Sequence, residues 1–262
     1  MIRILKPTHG HGGDTFRQLL DMWGENGYCE IVKTNHPNCW VGNVGNILLY
    51  DFPRLDDRPI PEFKFALFGN TVPLGDQISP WIFWGRKPRM IEERRKRLSP
   101  DRDIESMFLG KVENHVQLHN RSRENWEDVV ELFSMPVRLG DATNTNYPYT
   151  QEEYLDFVSR SKYGLCLPGY GPKCNREIEY MAFGTVPIMT PGVDVTYYSP
   201  LEEGIHYVKV NSPEELKTKI SSISNEQWKV MSDNCIKWYN DNCSPKGSFE
   251  TTMKILKGLG AI

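Results

Sequence analysis

The amino-acid sequence predicts an α/β protein made of two β–α–β units. Three observations carry that expectation. An apolar strand, a glycine-rich turn and an amphipathic helix open the chain over residues 1–23, and the same succession returns at Ser161–Pro191. Between them a charged helical stretch, Ile91–Leu98, and the polar residues up to Asp103 read as a solvated linker. The first unit is therefore expected over residues 1–103 and the second over residues 104–262.

A chain of 262 residues lets both units bury a substantial core, and 39% hydrophobic with 25% charged residues predicts a soluble globular protein. A net charge of −3 argues against nucleic acid as the main partner. No run approaches the roughly 18 apolar residues of a membrane span, and the N-terminus lacks the charged-then-apolar pattern of a secretion signal. A cytoplasmic protein without a membrane span is expected. Cys29, Cys39, Cys166, Cys174, Cys235 and Cys243 include no C-x-x-C pair, so they read as reduced thiols with no zinc site.

Met1–Pro7 alternates apolar and basic residues and forms the first strand. It runs into Thr8-His9-Gly10-His11-Gly12-Gly13-Asp14, a turn without the G-x-G-x-x-G spacing of a dinucleotide site. Phe16, Leu19, Leu20 and Trp23 then fall at i, i+3, i+4 and i+7, one face of a helix. His11 and Asp14, with His9 behind them, sit at the C-terminal edge of the first strand, where open α/β sheets hold ligands. Asp14 has the alternative role of capping the helix. Cys29–Lys33, Ile47–Tyr50 and Lys64–Phe68 read as further short strands, each closed by a polar turn. Gly75–Arg89 carries Asp76, Trp81, Trp84, Arg86 and Lys87; rings beside charges suit a sugar platform, and tryptophans equally suit a packed core.

In the second unit Ser106–Gly110 and Pro136–Leu139 read as strands, and a polar loop holding Tyr147 and Tyr149 leads to a short helix at Glu152–Val158. Tyr163–Leu167 is apolar without alternation, as befits a strand covered on both faces, and Pro168–Pro172 breaks it. The helix that follows ends at Gly184, a residue suited to a left-handed C-terminus, and Thr185–Met189 is the next buried strand. Pro213–Ile220 and Asn225–Tyr239 complete the helices, the second carrying a packing stripe of Trp228, Met231, Cys235 and Trp238.

The chemistry concentrates between Leu167 and Glu179. Gly169 and Gly171 let backbone N–H groups face a phosphate, the helix start adds its positive dipole end, and Lys173 and Arg176 add full charges. On that helix Ile178, Met181 and Ala182 share one face while Arg176, Glu179 and Phe183 share the other, which predicts one packed face and one free polar face. There Glu179 is placed to accept from two ribose hydroxyls; the alternative is an ordinary surface pair of Arg176 and Glu179 at i, i+3.

Taken as a set, Ser161-Lys162-Tyr163, Pro168-Gly169, Arg176-x-x-Glu179 and Gly184-x-Val186-Pro187 resemble the nucleotide-sugar domain of exostosin-type glycosyltransferases of the GT-B fold. The resemblance covers roughly the second half of the chain, whose small size is also similar to that of the compact glycosyltransferases of large algal viruses that build capsid glycans. It implies two Rossmann-like domains whose parallel sheets face a central cleft, the last helix crossing back to the first. It further implies a UDP-sugar donor, with xylose the nearest sugar type, and an oligosaccharide or glycoprotein glycan acceptor. Transfer would be inverting, in the cytoplasm of a host cell, without metal or other cofactor; Asp101-x-Asp103 has the spacing of a metal-anchoring D-x-D but lies in the linker. The acceptor base would be His11, Asp14 or Asp76. Phe108-x-Gly110-x-x-x-Asn114 resembles the family's strand-to-helix entry, which implies Lys111 or Arg121 on the diphosphate, although Gln117 stands where the family usually has arginine. Arg121 and Arg123 otherwise read as a solvated helix end. By the same resemblance Tyr147 or Tyr149 would line the uracil pocket, and Glu202, Glu203 or His206 would approach the donor. A retaining transferase and a non-catalytic nucleotide-sugar or glycan-binding module are the alternatives.

Overall fold

A computed structural model describes residues 1–8, 14–35, 42–50, 63–69, 78–97, 101–110, 126–130, 149–169 and 171–262. Among these residues the chain is α/β, with two sheets and seven α-helices. The first sheet comprises β1 (Arg3–Pro7), β2 (Glu30–Thr34), β3 (Gly42–Val44), β4 (Ile47–Tyr50), β5 (Phe65–Phe68) and β6 (Ile78–Pro80), in the order β2-β1-β3-β4-β5-β6. It is parallel except at β3, which runs against both β1 and β4. The reversal into β4 is a two-residue turn in which Gly45 takes φ +54°, a conformation that favours glycine. Helix α1 (Asp14–Glu25) returns the chain from β1 to β2, and its apolar stripe of Phe16, Leu19, Leu20 and Trp23 is fully buried.

The second sheet is all parallel, with β7 (Ile104–Met107), β8 (Ser161–Cys166), β9 (Val186–Met189) and β10 (Val208–Lys209) in the order β10-β9-β8-β7. Its central strands are unalternating apolar runs because helices cover the sheet. Helix α3 (Gln151–Arg160) opens on a reciprocal cap between Thr150 and Glu153 and leads into β8. Helix α4 (Asn175–Ala182) links β8 to β9 and stops at Gly184, where φ is +73° and an added Cβ would stand 2.6 Å from Ser232 Oγ. Helices α5 (Pro213–Ser221) and α6 (Asn225–Asn242) follow. No helix among the described residues is long and apolar enough to cross a membrane.

Two connections join the sheets. The first is the segment before and including α2 (Pro88–Arg95), which starts three residues ahead of the expected Ile91 and is not a solvated linker helix. Arg94 reaches Glu152 at 2.5 Å and Asp156 at 3.1 Å on α3. Arg95 Nε donates to the Ala182 carbonyl (2.7 Å) at the end of α4, and its guanidinium stacks 4.5 Å from the Tyr239 ring centroid. A run of charges reads as solvated because sequence shows the cations and hides their partners; arginine serves both aromatic faces and helix-end carbonyls. Arg102 does the same one turn of chain later, donating to the carbonyls of Phe183 and Ser161 (3.0 Å to the latter).

The second connection is α7 (Pro245–Gly258), a helix absent from the sequence-based assignment although Ser244 and Pro245 are its ordinary cap and first-turn residues. It packs on α1, where Trp23 Nε1 donates to Ser248 Oγ (2.9 Å), and on the segment after β6, where Trp81 Nε1 donates to Thr252 Oγ1 (2.8 Å). Trp81 and Trp84 are therefore core residues and no exposed sugar platform, being at most 1% exposed and clustered with Phe16 at centroid distances of 4.7 and 4.3 Å. Indole rings flanked by charges along the sequence are shielded here by aromatic neighbours from other elements. The buried side chains of both sheets merge into one continuous core.

Candidate functional site

Among the described residues the C-terminal edge of the second sheet is formed by Phe108–Gly110 after β7, Leu167–Gly169 and Gly171–Cys174 after β8, and Thr190–Tyr197 after β9. The last two loops are fastened to each other. Thr190 Oγ1 donates to the Cys166 carbonyl (2.9 Å), the Asp194 N–H to the Pro172 carbonyl (2.9 Å) and Lys173 Nζ to the Thr196 carbonyl (2.6 Å). Gly192 permits this approach, since a Cβ there would lie 2.4 Å from Pro168 Cγ. Gly169 is equally tight against Cys174, whose Sγ would meet an added Cβ at 2.7 Å, and its N–H donates to the Gly171 carbonyl (3.1 Å). Asp194 Oδ1 accepts from the Thr196 N–H and hydroxyl, both at 2.6 Å, which folds the β9 loop into a compact turn.

Two cations lie within this edge. Lys173 is 1% exposed and its ammonium sits 4.8 Å from the Tyr197 ring centroid. Burial lowers its pKa to about 8, with nearby Asp194 working in the opposite direction. Arg176 projects from the first turn of α4 across the end of β7, its guanidinium 4.4 Å from the Phe108 ring centroid. Gly110 makes room for it, as a Cβ there would come within 2.3 Å of Nη2. The Nε and Nη1 atoms of Arg176 are sealed from solvent without a hydrogen-bond partner, and the same holds for Glu177 Oε1, Asp194 Oδ2 and the Tyr197 hydroxyl. Glu177 Oε2 accepts from the Cys174 N–H (2.7 Å) at the start of α4, and burial raises the carboxyl to about 7 against the pull of Arg176.

Of the residues picked out in the sequence, Gly169, Gly171, Lys173 and Arg176 lie at this edge, but the expectation of a phosphate-facing N–H at Gly169 is corrected, since that N–H is bonded to the Gly171 carbonyl, and the Lys173 ammonium is bonded to the Thr196 carbonyl. Glu179 goes elsewhere. It is 4% exposed, and Oε1 accepts from the Arg86 N–H (2.7 Å) while Tyr154 hydrogen-bonds to the carboxylate; burial raises its pKa. On the same side of α4 Asn175 Nδ2 donates to the Trp84 carbonyl (2.8 Å), and Phe183 is 1% exposed. The free polar face expected for α4 is therefore corrected: the helix is covered by the sheet on one side and by the 84–86 backbone on the other. A surface pair of Arg176 and Glu179 is equally absent. Amphipathicity shows which side chains are polar and not whether solvent or another part of the chain meets them.

Tyr149 precedes α3 and packs edge-on against Phe157 at 5.2 Å. Beyond the motif, His206 Nδ1 accepts from the Glu202 N–H (3.1 Å), and burial lowers the His206 pKa. Asp14 begins α1, while its side chain lies outside the described residues, as do His9, His11, Asp76, Lys111, Gln117, Arg121, Arg123, Tyr147 and the strand expected at Pro136–Leu139. Sequence reasoning passed over Glu177, Asp194 and Tyr197, and it took Phe108 only as part of a strand-to-helix entry. Glu177 had a signal, the capping-box spacing three residues after Cys174, and Asp194-Val195-Thr196 had the pattern of a side-chain-to-backbone turn.

The arrangement provides two cations, a glycine loop, unmatched guanidinium donors and two unmatched carboxyl oxygens at the edge where parallel sheets bind ligands, a combination suited to a ligand that carries both an anionic group and hydrogen-bond donors. No protein-family model and no curated protein sequence matches the chain.

Proposed function

We propose that the chain is a GT-B-type glycosyltransferase that takes a UDP-sugar at the C-terminal edge of the second sheet. It transfers the sugar, with inversion, to a hydroxyl of a glycan held by the first sheet's unit. The observation that carries this reading is the cluster of buried polar atoms without partners beside the glycine loop, Arg176 Nε and Nη1, Asp194 Oδ2 and the Tyr197 hydroxyl. Buried polar groups are almost always hydrogen-bonded, so such a cluster at a ligand-binding edge favours a nucleoside diphosphate, whose phosphate oxygens would accept from Arg176 and the Tyr197 hydroxyl and whose ribose hydroxyls would donate to Asp194.

In this reading Arg176 and Lys173 stabilise the charge that develops on the departing diphosphate, work that a divalent ion performs elsewhere. A base in the first unit, His11, Asp14 or Asp76, removes the acceptor proton as the sugar transfers in line. Resemblance names xylose as the first sugar to try. The test is UDP release from a panel of UDP-sugars, with and without EDTA, alongside calorimetry of UDP binding and NMR of the product anomer. Release from one donor that is insensitive to EDTA and inverts the anomer is expected. Absence of UDP binding would remove the reading, and binding without release for any acceptor would reduce the protein to a nucleotide-sugar binder. Alanine at the true base abolishes release while leaving UDP affinity intact.

A further inference from the structure

One ionisable group at the candidate site has no part in donor binding or sugar transfer as described, the Glu177 carboxyl. It is 0% exposed and lies in the first turn of α4, next in sequence to Arg176. Oε2 accepts from the Cys174 N–H (2.7 Å), while Oε1 is sealed from solvent with no hydrogen-bond partner among the described residues. A buried carboxylate with one oxygen short of a donor depends on nearby positive charge to stay ionised.

The titratable and charged groups around it come from four places. Arg176 and Glu179 share its helix, Cys174 precedes that helix, Cys166 ends β8 and Tyr197 arrives from the β9 loop. Burial keeps the Cys166 thiol and the Tyr197 phenol neutral, and Glu179 adds charge of the same sign as Glu177. Lys173 faces Asp194 instead. Arg176 is the cation of this set, and its Nε and Nη1 are themselves buried without partners. An anion bound by Arg176 and the Glu177 carboxylate therefore draw on one positive charge. The anion cancels the field that keeps Glu177 ionised and adds negative charge of its own.

We propose that Glu177 is a proton site coupled to the anion site: a diphosphate binding at Arg176 draws one proton from solvent onto Glu177 Oε1, and ionised Glu177 opposes the ligand. This role rests on the reading of the edge as a diphosphate site. Coupling is reciprocal, so the proton strengthens anion binding by the factor with which the anion strengthens proton binding. Burial, against the pull of Arg176, places the carboxyl at about 7 in the free chain. Affinity is full below that pH and falls as pH rises through it.

The experiment is calorimetry of UDP and of inorganic pyrophosphate on the intact chain at pH 6 and pH 7.5, in buffers of small and large ionisation heat, for wild type and Glu177→Gln. Glutamine keeps an acceptor for the Cys174 N–H and does not titrate. Protons exchanged by the ligand or by Lys173 are common to both chains and cancel in the difference. For an anion that raises the carboxyl by about one pKa unit, wild type at pH 7.5 takes up on the order of half a proton more than the variant and binds about threefold more weakly, while the two agree at pH 6. UDP binding with equal proton uptake in both chains, or an affinity ratio that does not change with pH, overturns the coupling and leaves the transferase reading standing. Pyrophosphate binding with the expected difference, but no UDP binding, removes the transferase reading and leaves the coupling standing. Failure of both ligands to bind overturns both. If Glu177→Gln does not fold, Lys173→Met carries the test with UDP at pH 7.5: proton uptake that persists without the lysine supports the coupling, and its loss overturns it.

Discussion

Glu177→Gln isolates the most consequential buried charge in the second unit. The carboxyl is fully buried, Oε2 accepts from the Cys174 N–H and Oε1 has no partner. Its pKa in the folded chain is about 7 against an unfolded value of 4.5, because burial disfavours the carboxylate more than Arg176 favours it. A carboxyl raised in this way holds its proton in the native state after the unfolded chain has released it. The native state is therefore unpenalised below pH 4.5, loses stability as pH rises to 7, and stays at the lower level above that. The gap converts to about 3 kcal/mol in full, of which roughly 2 to 3 kcal/mol develops between pH 5 and pH 8. Glutamine keeps an acceptor for the Cys174 N–H and carries no charge at any pH. Urea unfolding of both proteins at pH 5 and pH 8 reads the effect as a double difference, in which titrations shared by the two chains cancel. The variant gains on wild type by that amount at the higher pH. A difference that is flat with pH, or that moves the other way, would refute the claim that the desolvation of Glu177 outweighs the compensation it receives from Arg176 and the Cys174 N–H.

Other outcomes follow from the same edge. Arg176→Met weakens UDP binding by about 2 kcal/mol by calorimetry, the scale of a charge-assisted contact, and lowers the thermal midpoint more at pH 8 than at pH 5, because buried Glu177 and Glu179 lose the guanidinium that favours their charged forms. With a pKa near 8, Lys173 is charged below that pH and neutral above it, so UDP affinity falls between pH 7.5 and 9.5, and Lys173→Met flattens that profile. Glu179→Ala strips the Arg86 N–H and the Tyr154 hydroxyl of their acceptor and costs roughly 1 to 3 kcal/mol in urea unfolding, whereas Glu179→Gln costs less. In Trp81→Phe the Thr252 hydroxyl loses its indole partner and about 1 kcal/mol of stability.

Periodicity made the repeating parts of the fold legible. The apolar run at Tyr163–Leu167 announced β8, the i, i+3, i+4, i+7 stripe announced α1, and Gly184 marked the end of α4 with its positive φ. Strands of two or three residues such as β3, β6 and β10 carry too little pattern to stand out, and their existence depends on neighbours supplied by distant segments. The same division runs through the candidate site. Glycines and cations of one loop are adjacent in sequence and were visible together. The partners that decide their behaviour, Phe108, Asp194 and Tyr197, arrive from other strands, and the fate of Glu179 is decided by a backbone N–H at residue 86, which leaves no trace in side-chain composition.

The tryptophan contacts of α7 have a consequence for biosynthesis. Trp23 and its hydroxyl partner are separated by 225 residues and Trp81 and its partner by 171. At about 5 to 20 residues per second, on the order of ten to forty-five seconds of translation separate α1 from the helix that covers it. During that interval two indoles and the α1 flank lack their final cover, so the first unit waits on the ribosome half-dressed and chaperones have a defined window in which to hold it.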